Sequence, residues 1–217
     1  LGISTSTVYG NFISSGTNNA EDAAAIFLEI PTIYGDFISS GNNSANNYPI
    51  YFFAPVIYGD FIHQGLTVAG SVNPDGTFNA TGDQAMRFEY NTMLNKNFIN
   101  SGTIASASEG IWMGGSRIVG DIINSGNILG GKTDFDDGYT GSEETTGLYI
   151  VNSALGGKIQ NKQTGIISGG YGVTLSQDYK DGTAGTYASK NLHIINNGLI
   201  KGYNYDAIAF DITSSDD

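Results

Sequence analysis

The chain of 217 residues has no cysteine, only four prolines and only nine lysines and arginines. Lack of cysteine excludes a disulfide framework, a thiolate zinc site and a cysteine nucleophile. Nine basic residues stand against 21 acidic ones, a formal net charge of −12. No nucleic-acid partner is expected at that charge, because affinity for a phosphate backbone comes from clustered Lys and Arg. Long apolar runs are missing as well. The longest, from Pro49 to Gly59, is interrupted by Pro55 and falls far short of the ~20 residues that a membrane-spanning helix needs, so no membrane-spanning segment is expected. No basic stretch followed by an apolar core opens the chain at Leu1, so no export signal is visible and a processed piece or fragment is expected.

Glycine is abundant instead, at 31 residues about twice its usual ~7% share, beside 11 Phe, 13 Tyr and one Trp. Turn formers and strand formers therefore occur together, and their order is periodic. A first motif reads VYGNFISSG (8–16), IYGDFISSG (33–41), IYGDFIHQG (57–65), NFINSG (97–102) and IVGDIINSG (118–126), with degenerate copies KIQNKQTG (158–165) and IINNG (194–198). A second motif alternates between them: AIFLEI (25–30), PIYFF (49–53), AMRFE (85–89), GIWM (110–113), GLYI (147–150), GVTL (172–175) and AIAFDI (207–212).

From the final glycine of the first motif to the next second motif the step is 7 to 9 residues in five units, and 20 and 21 in the other two. The step from second motif to next glycine is 16, 16, 17, 16, 18 and 26. The unit is thus about 24 residues, with insertions at 66–84, 127–146 and 176–191. Apolar residues recur at spacing two within both motifs, with β-branched and aromatic types favoured, so each reads as a short strand. Gly/Asn/Ser clusters between them supply the turns. Such a unit, holding two or three strands, cannot bury its apolar side alone, but stacked copies can. The spacing predicts an all-β, single-domain parallel β-solenoid over residues 1–217, with about seven coils; right-handed crossovers are the default.

The runs GDIINSGNILG (120–130), NSGTI (100–104) and INNGLIKG (195–202) resemble the passenger region of Gram-negative autotransporter and surface adhesin proteins. The resemblance implies a right-handed β-helix displayed outside the outer membrane, on the bacterial cell surface or extracellular, and often adhesive.

In stacked coils each motif position becomes a column along the rod. The column after the motif glycine holds Asn11, Asp36, Asp60, Asn97 and Asp121, then Lys158 and His193. Asp36 and Asp60 would lie near the ~5 Å separation of a retaining glycosidase pair, with Lys96 or Arg87 as basic partners, which makes a polysaccharide lyase or hydrolase conceivable. The acid belongs to the repeat itself, however, so a structural role is expected and no catalytic residue is assigned. Asn100, Asn124, Asn161 and Asn196, preceded by Ser14 and Ser39, would form an amide ladder. If Phe12, Phe37, Phe61 and Phe98 point inward, alternation sends Ile13, Ile38, Ile62 and Ile99 outward beside Tyr9, Tyr34 and Tyr58. A bulge beside the glycine, packing both residues inward, is the favoured alternative. His63 and His193 lie in different coils and cannot share a metal or catalytic site.

The insertions 66–84 and 127–146 both follow a motif glycine, and are expected to leave one corner together and carry recognition. The second holds Asp134, Asp136 and Asp137, hard oxygen ligands suited to calcium, although a solvated acidic loop is the favoured reading and no cofactor is expected. No Gly-x-Ser-x-Gly elbow and no phosphate loop is found. The expected function is structural or adhesive and non-catalytic, toward a host-cell surface, a glycan or a protein ligand. Two alternatives are a self-assembling fibre of copies of this chain and the polysaccharide enzyme.

Overall fold

The computed structural model describes residues 1–131, 145–178 and 192–213. All regular structure in them is strand, and no helix long and apolar enough to cross a membrane occurs among them. The strands fall into four sheets, which we number 1 to 4 in the order the chain meets them. The first circuit is Gly2–Ser4, Thr7–Val8, Phe12–Ser14 and Thr17–Ala20, and the second is Ile26–Glu29, Thr32–Ile33, Phe37–Ser39 and Asn42–Ala45. The later repeats keep that order as far as Leu199–Gly202, except that among the described residues no sheet 2 strand follows Tyr171–Asp178. Sheet 1 ends at Ile208–Thr213, sheet 2 at Ala154–Leu155, sheet 3 at His193–Asn196 and sheet 4 at Leu199–Gly202.

Every strand of the four sheets pairs in parallel with its equivalent one repeat away. Phe61 faces Phe37 on one side and Phe98 on the other, and Ile57 faces Ile33 and Leu94. Four strands per repeat exceed the expected two or three, because the strands of sheet 2 are two residues long and show no alternation of their own. Gly2–Ser4 adds a strand to sheet 1 ahead of the first recognised motif.

The inward residues of all four sheets meet in one core, including Leu28, Ile33, Phe37 and Ile104. Within it the rings of Phe12, Phe37, Phe61 and Phe98 stack at 4.8–5.0 Å between centroids, and Phe52 and Phe88 meet them edge-on. Alternation in sheet 3 is strict: Phe37, Phe61, Phe98 and Ile122 are buried while Ile38, Ile62, Ile99 and Ile123 are half-exposed on the outer side. The bulge that would have turned both residues inward is not formed, because the parallel register of Ile13, Ile38, Ile62, Ile99 and Ile123 runs unbroken.

One further expectation is corrected. Leu66–Ala69 and Asn127–Leu129 are regular strand residues of sheet 4, so both long insertions depart beyond sheet 4 and not at the motif glycine. The first continues Leu66–Val72 into an antiparallel hairpin with Phe78–Ala80. Phe78 and Ala80 fold back on Val68 and Ala105, making a second small core on the outer side of sheet 4. Asp134, Asp136 and Asp137, the residues read as calcium ligands, lie outside the described residues.

The motif glycines are required by close approach. A Cβ added at Gly41, Gly65, Gly102 or Gly126 would fall on the carbonyl oxygen of the motif glycine one repeat earlier. That oxygen is backbone and cannot turn aside. Gly102→Ala is therefore expected to lower the unfolding free energy by roughly 2–4 kcal/mol, read from urea titration of the folded chain.

Candidate functional site

Polar columns run beside the core. Asn18 Nδ2 donates to Asn43 Oδ1 at 2.8 Å, and Asn43 Nδ2 to Thr67 Oγ1 at 3.3 Å. Thr67 Oγ1 lies 3.0 Å from His63 Nε2, and His63 Nδ1 lies 2.7 Å from Asn100 Oδ1. Asn100, Asn124, Asn161 and Asn196 then join amide to carbonyl at 2.8, 2.8 and 2.9 Å. One assignment satisfies every member from Thr67 to Asn196: the Thr67 hydroxyl donates to Nε2, and the proton on Nδ1 of a neutral imidazole is donated to Asn100. Asn43, Thr67, His63, Asn100, Asn124 and Asn161 are all buried. The amide ladder read from Asn100 to Asn196 is thus extended through a histidine and a threonine.

The Asp36 and Asp60 carboxylates are adjacent, as their spacing implied, yet both serve the backbone. The amide of Asp36 donates to Asn11 Oδ1, that of Asp60 to Asp36 Oδ1, that of Asn97 to Asp60 Oδ1, and that of Asp121 to Asn97 Oδ1, all at 2.8–2.9 Å. Arg87 is not brought to them. It is held on the outer side of sheet 1 by other partners.

A groove of about 480 Å³ opens beneath the hairpin, lined among others by Gly65, Gly76, Phe78, Ser101, Ser125 and Thr164. The hairpin tip above it is well fixed. The amide of Asn73 donates to Thr77 O, and that of Gly76, at φ +86°, donates to Asn73 O. Asp75 Oδ1 accepts from the Thr77 hydroxyl and amide at 2.6 and 3.0 Å, which holds its carboxyl below the usual range.

A departure within the strands themselves lies on the outer side of sheet 1. One column there reads Phe27, Tyr51, Arg87, Trp112 and Tyr149 in register. Arg87 forms the one ion pair among the described residues, with Glu89, and donates to Gln84 Oε1 at 2.9 Å. Its guanidinium lies over the rings of Tyr48 and Trp112, at 4.8 and 4.6 Å from their centroids. Arg suits this position because a planar, weakly hydrated cation stacks on rings while its edge binds a carboxylate. Tyr51 donates to Glu89 Oε2 at 2.6 Å, and burial, followed by that hydrogen bond, holds its phenol above the ordinary range. Gln84 donates in turn to Glu109 Oε2 at 2.8 Å.

The backbone departs at the same place. At the corner between sheets 1 and 2 the residues Thr5, Ile30, Ala54, Gly115 and Asn152 adopt positive φ, one per repeat. The fourth repeat has two in succession, Tyr90 and Asn91 at 52° and 66°, because three residues rather than two join Glu89 to Met93. Left-handed backbone is unfavourable for side chains with a Cβ, so strain collects here. The extra residue carries the Tyr90 ring onto Phe53, with centroids 4.4 Å apart. Sequence reasoning missed this site, although the 17-residue step between Ala85 and Gly102, one longer than its neighbours, marks the added residue.

Comparison with known proteins adds no relative: no family model matches the chain, and neither a curated protein nor a solved structure matches it. The reading of its role therefore rests on the residues themselves.

His63 makes the ladder sensitive to acid. Complete burial lowers its pKa from 6.5 to about 4, partly opposed by the Asn100 hydrogen bond. Above pH 6.5 the imidazole is neutral in both folded and unfolded chains, and its titration does not affect stability. Below it the unfolded chain binds a proton that the folded one refuses, so stability falls between pH 6.5 and 4, by about 3 kcal/mol in all. His63→Asn, which places in this repeat the residue found in the next, is expected to remove that part of the pH dependence in denaturant titrations at pH 7, 5.5 and 4.

Proposed function

We propose that the four sheets are the sides of a parallel β-solenoid of about seven coils, a right-handed β-helix, forming one domain that works as a non-catalytic adhesive rod. Shared core, in-register columns and repeat-to-repeat pairing support the solenoid, and right-handed crossovers are the strong default. The resemblance of 120–130, 100–104 and 195–202 to autotransporter passengers favours an extracellular or bacterial cell-surface setting.

The observation that carries a binding role is the fourth repeat. Arg87 interrupts a column that is otherwise aromatic from Phe27 to Tyr149, its partner Glu89 and the Tyr90 ring at the added residue lie beside it, and all three fall on one outer surface with Trp112 and Tyr48. A rod needs none of them to stack. Aromatic residues and Arg on an exposed face are the composition of recognition surfaces. The hairpin groove offers a second polar surface, lined by serine, threonine and glycine. Catalysis is disfavoured because the acids of the Asp36–Asp60 column are spent on backbone amides.

Beads coated with the chain are expected to adhere to host epithelial cells in a saturable way, competed by soluble chain. Adhesion no greater than that of albumin-coated beads would defeat the adhesive reading. Asp60→Asn, matching Asn11 and Asn97 in the same column, is expected to change stability by under about 1 kcal/mol. Incubation of either form with acidic polysaccharides is expected to release no product, and turnover that Asp60→Asn abolishes would replace this reading with the enzymatic one.

A further inference from the structure

The outer side of sheet 1 can be read for the kind of ligand it would take, an inference that rests on the adhesive reading above. Its aromatic residues run along the rod from Phe27 through Tyr51 and Trp112 to Tyr149, with Phe53 and Tyr90 alongside. None of these rings is buried: all are half-exposed except Tyr90, which is 59% exposed. Trp112 lies down along its own strand, because Gly114 has no side chain. A Cβ there would meet the indole ring. Glycine at this place therefore allows the ring to rest on the sheet.

Size narrows the class of partner. Five strands separated by four ~4.8 Å spacings, and about four residues at ~3.3 Å along each strand, give a surface of about 19 by 13 Å, roughly 250 Å². One side of a stable protein complex covers about 800 Å², several times more. A short oligosaccharide lying along the rod fits that footprint. Its sugar rings present C–H faces to aromatic side chains and hydroxyls to the polar groups between them. Those groups are at hand: Gln84, Glu109 and Ser108 form a hydrogen-bonded set beside Arg87 and Trp112.

Charge narrows it again. Arg87 is neutralised by Glu89, so Glu29 and Glu109 leave the surface acidic, on a chain whose formal net charge is −12. An anionic glycan would be repelled. We propose that the Phe27–Tyr149 surface of sheet 1 binds a neutral oligosaccharide, with Trp112 as the central stacking ring and Arg87 as a positioning residue that orients it.

Trp112 is the chain's single tryptophan, so its fluorescence reports this surface and no other. Titration of the full chain with cellohexaose, chitohexaose, laminarihexaose and maltohexaose is expected to give a saturable change in emission with at least one, with Kd of about 1 mM or below. Hexagalacturonate is expected to give none. By calorimetry, Trp112→Ala should weaken the binding at least about tenfold, Gly114→Ala should weaken it through displacement of the ring, and Trp112→Phe should retain it in part. Circular dichroism of each variant reports whether the fold is kept, and Trp112→Phe serves as the stacking-competent control should Trp112→Ala unfold. Equal binding by wild type and a folded Trp112→Ala, a preference for hexagalacturonate, or no neutral hexasaccharide bound at about 10 mM would each overturn the inference. In the last case continued bead adhesion would show that the adhesive reading survives without this ligand, whereas loss of both would remove the two together.

Discussion

Like side chains from successive repeats lie directly over one another, and this alignment is the constraint on which the other features depend. It follows from parallel pairing in register, which brings residue i beside its equivalent in the next repeat, 24 or 25 positions away where no insertion intervenes, throughout four sheets. Apolar columns gain by it through stacked rings and interlocking aliphatic chains. Polar columns gain more specifically. A buried amide that met an apolar neighbour would lose its hydrogen bonds at a cost of about 1–3 kcal/mol, whereas another amide in the same place satisfies it. The seam from Asn18 to Asn196 therefore fixes the register from within, since a one-residue slip would bury unpaired amides.

The repeat carried most of the fold in the sequence, and the reason is physical. Stacking makes each position answer to its neighbours above and below, so glycine at 41, 65, 102 and 126 and phenylalanine at 37, 61 and 98 recur because the backbone and core leave little choice. The division into four sheets was less legible. Thr32–Ile33 and its equivalents are too short to show a period, and Leu66–Ala69 hides a regular strand in what spacing alone marks as an insertion. The outward isoleucines followed simple alternation where a bulge had been favoured.

Site residues were legible in proportion to how far they obey the columns. His63 stands where Ser39 and Asn100 stand in neighbouring repeats, so its burial in the ladder follows from position, although a lone histidine suggests a surface tip. Trp112 and Tyr48 were not singled out, and Arg87 was named only as a basic partner for Asp36 and Asp60. The contact between Arg87 and Tyr48 crosses from one column to another, and nothing in a one-dimensional spacing shows that. The single added residue at Tyr90 to Thr92 was visible only as a step of 17 among steps of 16.

The direction of the inter-repeat hydrogen bonds has a mechanical consequence. They join each repeat to the next along the line of stacking, so tension applied between the two ends loads them in opening rather than in shear. Rungs would peel away singly, each releasing about 24 residues or roughly 80 Å of slack chain. A stack built in this manner would lengthen stepwise under load and re-form when the pull relaxes, because every rung left standing is a template for the one beside it.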